Sequence, residues 1–565
     1  MTTDIETPPA ATGSSHLKRN VGLIGLLWAA EGSVIGSGWL FGAQGALETA
    51  GPAALISWGI GAAIIIVLAL VHAELGGMFP FAGGTTRFPH YSFGGAAGAS
   101  FGWFSWLQAA GVAPVEVIAM IQYAQHWHFA DSWMHPVKNE GHTRYLLSHT
   151  GIAIAIVLIG IMVAINFFGI RLLSRVNSAA TWWKVGVPLL TIFALAASSF
   201  HGSNFSANGG FMAEGWKNIL LAIPLSGIVF SLLGFEQAIQ LAGESENPKK
   251  HLPRATILSI LIGAAIYILI QVVFIGALPE KLIAGGWGST ASTSYTALAY
   301  PLAGVAMAVA VTWLAAVLYI DAVISPGGTA LIYATSTSRI SYGLARNGYV
   351  PSAYSKLNRQ AVPWVGLITA FITGCIFFLP FPSWQSMIQL TTSASVMMYA
   401  GAPLAFGVFR NRLPEWERPY KLPAGKVFAP IAFILANMII LWSGWDTIYK
   451  LGITVLIGYV VLIASRVFNL NPIKPVLDFK AAQWLPVYLI GMGVITWQSQ
   501  TFDDLSNLTG GLGTPNHPWF SFGWDMVAVA IFSLVIYFWA QAVALPSERI
   551  EGLIEEVVVV EAAGE

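Results

Sequence analysis

Averaged over windows of about 19 residues, the chain falls into fourteen apolar segments. They begin near Val21, Pro52, Phe101, Thr150, Val176, Lys217, Arg254, Ala299, Pro363, Trp384, Val427, Leu451, Gln483 and Phe522. Runs of about 20 apolar residues are what a helix needs to cross the hydrocarbon core of a bilayer, so each segment is expected to be a transmembrane helix. Met1 to Asn20 is polar, carries Lys18 and Arg19, and has no short apolar core followed by a small-residue cleavage site. It is therefore expected to be a cytoplasmic tail rather than a signal peptide. A short loop rich in Pro, Lys and Asp, Asn471 to Lys480, sets the last two segments apart from the preceding twelve. The pattern thus divides the chain into a tail (1–20), a core of twelve helices (21–468), two additional C-terminal helices (482–545) and a second cytoplasmic tail (546–565). The Glu-rich end of that tail is expected to be solvated. The fold class is an all-α polytopic membrane protein.

Composition supports this division. Apolar residues make up 56% of the 565 positions and charged residues 10%, against about 25% charged in soluble proteins. The 22 tryptophans fit aromatic belts at the two interfaces. With 27 basic and 27 acidic residues the chain has no field to hold nucleic acid. A single cysteine, Cys375, excludes a disulfide framework, and no zinc spacing is present, so neither cofactor nor metal is expected. A G-x-x-x-x-G-K-[ST] loop is absent, which disfavours an ATP-driven pump, and neither H-E-x-x-H nor a Ser/Lys or paired-Asp constellation points to an enzyme. Sorting the bases by loop puts twenty-one of the 27 on the side of the N-terminus and five (Lys138, Arg144, Lys217, Lys281 and Lys450) on the other, leaving Lys184 inside a span. By the positive-inside rule both termini are then cytoplasmic and the number of spans is even.

Two segments depart from simple apolar runs. The first contains Glu31-Gly32-Ser33-Val34-Ile35-Gly36-Ser37-Gly38, and the sixth Phe230-Ser231-Leu232-Leu233-Gly234-Phe235-Glu236. Each glycine in a helix interior costs about 1 kcal/mol relative to Ala, so a break is expected in both. Glycines at spacing four also fit a small-residue packing face. The second break, five spans on and again beside a carboxylate, favours a binding site between two interrupted helices, where unwound backbone must line a cavity or be buried in protein.

These residues also carry a resemblance. Gly36-Ser37-Gly38 and Gly234-Phe235-Glu236, with Ala73-Glu74-Leu75 through Phe79-Pro80 to Gly83-Gly84, Glu246-Asn247-Pro248 with Pro253-Arg254-Ala255, and Ser338-Arg339 through Ala345-Arg346-Asn347-Gly348 to Pro351, resemble the amino acid–polyamine–organocation (APC) transporters over roughly Leu17 to Phe468. Gly-Ser-Gly-Trp-Leu-Phe at 36 to 41 is closest in flavour to bacterial proton-coupled aspartate symporters. The resemblance implies a LeuT-like 5+5 inverted-repeat bundle, here with about fourteen helices, and adds nothing about the last two. It implies that the backbone N–H groups of Ser37 and Gly38 meet a substrate carboxylate, that carbonyls at Ser33, Val34, Phe230 and Leu233 meet the ammonium, that Gly36 and Gly234 also belong to the substrate-binding residues, and that Phe230 is an aromatic gate.

Charged groups at membrane depth each cost roughly 2.5 to 3.5 kcal/mol on insertion scales, and the chain keeps Glu31, Glu116, Lys184, Glu236 and Asp321 there. In the resembling family a lysine in span five approaches the first helix, which makes Lys184 the expected proton carrier; snorkelling to the cytoplasmic interface is the plain alternative. Glu116, in span three, is expected to line the substrate pocket, where apolar surroundings favour a neutral carboxyl and tie proton binding to substrate. Glu236 is linked in the family to gating. Asp321 and Glu31 read equally well as satisfied hydrogen-bonding groups, and His72 as a packed histidine. Arg339, Arg346, Lys356 and Arg359 are expected to enforce topology, with a gate salt bridge to Glu244 or Glu246 as an alternative.

The function expected is secondary, proton-coupled symport of an amino acid by alternating access, with aspartate or glutamate favoured. The alternatives are an exchanger, a cationic or neutral amino acid permease and, less favoured, a non-transporting sensor. The expected partners are the amino acid, protons and the lipid of the plasma membrane.

Overall fold

A computed structural model of the chain describes residues 21–79, 84–139, 142–167, 170–242, 245–287, 298–380, 382–499, 515 and 517–562. Pro80, Gly83, Glu244 and the tail 1–20, all invoked above, lie outside the described residues. Among the described residues, ten helical stretches are long and apolar enough to span a bilayer, and three shorter apolar helices, Leu23–Val34, Trp364–Phe377 and Trp484–Trp497, join them.

The first apolar segment is two helices, α1 (Leu23–Val34) and α2 (Gly38–Ala50), followed by α3 (Ala54–Met78), a short α4 (Arg87–Phe93) and α5 (Gly95–Ala124). A two-stranded antiparallel hairpin, β1 (Met134–Asn139) with β2 (His142–Leu147), pairs Met134 with Leu147 and interrupts the otherwise helical order. The all-α expectation is corrected to that extent, because the polar connection between spans three and four is long enough to satisfy its own backbone in a ladder. Then come α6 (His149–Phe167) and α7 (Ile170–Ser198). The sixth segment splits into α8 (Gly215–Leu225), α9 (Ile228–Ser231) and α10 (Glu236–Gln240), and leads to α11 (Pro248–Ala277) and the single turn α12 (Glu280–Ile283).

The eighth segment, expected near Ala299, is instead a short α13 (Pro301–Ala308) and a 35-residue α14 (Thr312–Arg346). The kink falls at Ala310, whose φ of +61° ends one helix before Thr312 opens the next. The remaining helices are α15 (Trp364–Phe377), α16 (Trp384–Arg412), α17 (Gly425–Trp442), α18 (Gly444–Val467), α19 (Trp484–Trp497), α20 (Trp524–Val543) and α21 (Ser547–Ala562).

The interior is organised around α5, which packs along α14 and α16, while α3 lies against α11 and α1 against α11, α7 and α14. The most apolar windows of α5 and α16 are wholly buried, whereas α18 and α20 turn Leu456, Val460, Ile531 and Phe538 outward, the surface lipid would cover. Helices α19 and α20 are joined to α17 by polar contacts: Tyr488 donates to Asn437 (2.7 Å) and Asn437 to Ser533 (2.9 Å). The connecting loop is not a loose spacer, since Asn471 donates to the carbonyls of Ala345 and Val350 at 2.8 Å each. Nor is the C-terminal tail simply solvated. Ile550, Leu553 and Ile554 of α21 are buried, because an amphipathic helix can cover apolar surface on one face, while Glu548, Glu551 and Glu555 stay exposed.

Candidate functional site

Where α1 ends, the chain runs through Ile35, Gly36 and Ser37 before α2 begins at Gly38. The break frees carbonyls that neighbouring helices take up. Lys184 Nζ, from α7, donates to Gly32 O at 2.6 Å and to Thr329 Oγ1 at 2.7 Å. Thr329, from α14, donates in turn to Gly32 O and Ile35 O, at 3.1 and 3.3 Å. Tyr267 OH, from α11, donates to Val34 O at 2.7 Å. Lys184 is fully buried, so the snorkelling alternative is overturned: its ammonium points into the bundle and closes the first break.

The freed donor on the other side of the gap is the Ser37 N–H, which donates to Glu116 Oε2 at 2.7 Å. Glu116 is fully buried in α5 and feels the charge of Lys184. Close approach here requires glycine, since a Cβ on Gly36 would lie 2.5 Å from Glu116 Oε1 and 3.0 Å from Thr329 Oγ1. The N–H expected to receive a substrate carboxylate is thus held by a carboxylate of the chain itself. Gly38 packs on Ser231 of the second break, and Ser33 turns its hydroxyl back to Ala29 O (3.1 Å).

The second break faces the first directly. Gly234 adopts φ +125°, and a Cβ there would meet Val34 N at 2.7 Å and Ser33 Cβ at 2.8 Å. Leu233 N–H donates to Phe230 O at 3.2 Å. Glu236 binds the break together: its carboxylate accepts from Gly234 N–H (2.9 Å), Tyr333 OH (3.0 Å), Tyr399 OH (2.6 Å) and Gln108 Nε2 (3.4 Å). These donors come from α14, α16 and α5 as well as the break itself. Phe230 meets Trp384 edge-on, ring centroids 6.0 Å apart, and Trp384 also lies 4.9 Å from Phe41 while donating its indole N–H to Ser37 Oγ at 2.9 Å. Three rings, Phe41, Phe230 and Trp384, rather than Phe230 alone, thus meet beside Ser37 of the first break.

The remaining charged candidates make other contacts. Asp321 accepts from Ser325 Oγ (2.6 Å) and Trp183 Nε1 (2.9 Å), both on Oδ1, while Oδ2 has no hydrogen-bond partner among the described residues. Glu31 is fully buried with neither oxygen hydrogen-bonded to a described residue. His72 bonds Leu68 O through Nδ1 (2.8 Å) and packs edge-on against Phe235 and Tyr399. On the side of the basic loops, Glu74 at the end of α3 takes a bidentate pair from Arg410 (2.8 and 2.6 Å), lies 3.3 Å from Arg418 Nε, and accepts from Leu422 N–H at 2.7 Å.

Sequence reasoning missed Thr329, Tyr333, Tyr267, Trp384, Tyr399 and the role of Glu74. One signal was available. Asp321, Ser325, Thr329, Tyr333 and Thr337 recur every fourth residue of α14 and all are buried, a polar stripe on one helix face that must find partners inside the bundle.

Comparison with known proteins identifies the family. An amino acid permease family model matches residues 21–462. The chain is 36% identical to the glutamate/serine transporter AimA of Bacillus subtilis over 93% of its own length and 94% of the relative's. It is 30% identical to the aspartate-proton symporter of the same organism over 95% and 98%, and 25% identical to that organism's branched-chain amino acid permease BcaP over 80% and 94%. These relatives are permeases and transporters, not enzymes. A polytopic helical bundle with two facing breaks, matched along most of its length by such proteins, is a multi-pass membrane protein that belongs to the amino acid permease family of the APC superfamily.

Proposed function

We propose that the chain is a secondary transporter that carries an acidic amino acid together with a proton across the plasma membrane by alternating access. In this reading the core, residues 21–468, is a 5+5 inverted repeat within fourteen helices and both termini are cytoplasmic. The observation that carries the coupling is the 2.7 Å hydrogen bond from Ser37 N–H to Glu116. Protonating Glu116 removes its charge and weakens its hold on that N–H, which then accepts the carboxylate of the incoming amino acid. A neutral Glu116 also removes the repulsion that an acidic substrate would meet. Substrate and proton therefore enter as a pair.

Lys184 supplies the second half of the cycle. Its ammonium clamps Gly32 O and Thr329 Oγ1 while α1 is closed against α7 and α14, and losing the proton loosens that clamp so that α1 swings to release substrate. Gly36, Gly38, Ser33, Val34, Leu233 and Gly234 shape the cradle, and Phe230 with Trp384 covers it. Glu236 ties the second break to its neighbours. The choice of an acidic substrate is supported by the names of the two Bacillus relatives, a glutamate/serine transporter and an aspartate-proton symporter.

The test is uptake of labelled aspartate, glutamate and serine into proteoliposomes. Outside acidification drives accumulation of the acidic substrate if the reading holds; accumulation driven by sodium alone, or exchange without net uptake, overturns it.

A further inference from the structure

The transport reading leaves one buried acid of α14 unused. Asp321 takes both of its donors, Ser325 Oγ and Trp183 Nε1, on Oδ1, and Oδ2 has no hydrogen-bond partner among the described residues. On the side of α2, the indole N–H of Trp39 is buried and equally without a partner among the described residues, yet near enough to act on the same carboxylate. A buried polar atom left without a partner is costly, so its retention calls for an explanation.

Trp183 directly precedes Lys184 on α7. Neighbouring residues of one helix therefore hold two places on α14: Trp183 binds Asp321, and Lys184 binds Thr329 eight residues further on. Those eight residues rise about 12 Å, Ser325 stands midway, and Asp321 and Lys184 feel each other's charge. In the other direction, toward the Thr312 end of α14, Tyr123 of α5 feels the charges of Asp321 and Tyr319, its ring 6.3 Å from that of Tyr319. His126, just beyond α5, stacks on Tyr319 with ring centroids 3.8 Å apart. Exposure falls along this series: His126 is exposed, Tyr319 is 5% exposed, Tyr123 1%, and Asp321 and Lys184 0%. The titratable groups that face Asp321 are thus Lys184 from α7 and Tyr123 from α5. Together they form a column of proton-bearing groups that runs from the surface to the buried amine.

We propose that Asp321 is the group that reloads Lys184 with a proton, fed from the outer face through Tyr123, Tyr319 and His126. This rests on the symport reading above. After Lys184 has released its proton inside, its neutral amine takes the proton of Asp321 across the turn that carries Ser325. The O–H bond at Oδ2 breaks, an N–H bond forms on Nζ, and a carboxylate is left facing an ammonium. The ammonium re-forms its bonds to Gly32 O and Thr329 Oγ1, and the carboxylate recovers a proton from outer water along the column. Ser325 and Trp183 hold the acid through Oδ1, which leaves Oδ2 free to gain and lose the proton. His126 stands at the mouth, where an imidazole exchanges protons readily near neutral pH.

The test is aspartate uptake into proteoliposomes by the full chain and by Asp321→Asn, which keeps an acceptor oxygen for Ser325 and Trp183 but has no proton to give. The initial rate of proton-driven uptake should fall by about tenfold or more. The final accumulation should stay at the wild-type level, because Lys184 still sets the proton count. Counterflow of labelled for unlabelled aspartate, and KM, should stay within about twofold, since exchange returns the carrier loaded. Asp321→Glu should recover most of the rate. Tyr123→Phe, which leaves Asp321 and its bonds in place, should slow uptake in the same way and decides the matter if the Asn variant does not fold. An Asn variant with the wild-type rate overturns the proposal. So does equal loss of uptake and counterflow, the mark of a structural role, or a lowered final accumulation, which would make Asp321 itself the coupled carrier. Wild-type uptake that outside acid does not drive overturns the symport reading and this proposal with it, whereas intact drive in the wild type with an unaffected Asn variant overturns this proposal alone.

Discussion

Ser37 gives its backbone N–H to the carboxylate of Glu116 at 2.7 Å, across 79 residues of sequence. A donor at the mouth of a helical break is thereby already occupied by an acid of the chain, and under the proposed transport reading a substrate carboxylate competes for it. Binding that depends on displacing a carboxylate depends on the protonation of that carboxylate.

Glu116→Gln should therefore separate substrate affinity from pH. The amide keeps the shape and an acceptor oxygen but carries no titrating charge, so aspartate binding should become nearly flat between pH 5 and 8 while proton-driven accumulation falls by at least about tenfold. Binding measured at several pH values checks this, and a variant with the wild-type pH slope would rule out Glu116 as the coupling acid.

Lys184→Ala should abolish concentrative uptake while sparing exchange of labelled for unlabelled substrate. The fully buried ammonium bridges Gly32 O and Thr329 Oγ1, and its loss leaves the two breaks in place but removes the clamp. Gly328→Ala gives a milder version, since its Cβ would press to 2.9 Å from Lys184 Cε. Paired uptake and counterflow assays distinguish the two outcomes; equal loss of both activities would mean that Lys184 serves only folding.

Gly234→Ala should cost both stability and transport. Its φ of +125° is strained for any L side chain, about 1–3 kcal/mol, and the new Cβ would lie 2.7 Å from Val34 N, on backbone that cannot move aside cheaply. A lowered melting temperature in detergent, with uptake lost, is the expected result; wild-type values for both would show that the two breaks are free to separate.

Glu74→Gln should destabilise the side of the bundle that carries the basic loops. Glu74 is 1% exposed and Arg410 13%, and removing one partner of a buried pair typically costs about 3–5 kcal/mol, because the remaining charge is left uncompensated. Thermal unfolding reads this directly. A change within about 0.5 kcal/mol would place the pair among surface bridges.

Outside the spans, His90 on α4 should make the protein less stable in acid. Burial, aided by the charges of Arg87 and Arg549, lowers its pKa to about 4, against about 6.5 in the unfolded chain. The folded state binds its proton less readily, so this contribution is complete above about pH 6.5 and is lost as pH falls toward 4. Between pH 7 and 5 the loss is about 2 kcal/mol. His90→Gln should flatten the dependence of melting temperature on pH over that interval, and an unchanged slope would refute the assignment.

The apolar runs by themselves determined that this chain lives in a bilayer and where most of its helices begin, because a hydrocarbon solvent demands about 20 apolar residues per crossing whatever the helices pack against. The glycines and carboxylates at 31–38 and 230–236 marked both breaks in advance, since neither residue type is cheap inside an apolar helix. Only the tertiary structure decided which groups meet there. That Glu116 reaches Ser37, that Lys184 turns inward to Gly32 rather than outward to the interface, and that Thr329, Tyr333, Tyr399 and Trp384 complete the site depends on how α5, α7, α14 and α16 are brought against α1 and the sixth segment. Hydrogen bonds between residues 79 to 347 positions apart leave no local periodicity to read. The polar stripe of α14 announced that partners must exist, and the packing of the bundle chose them.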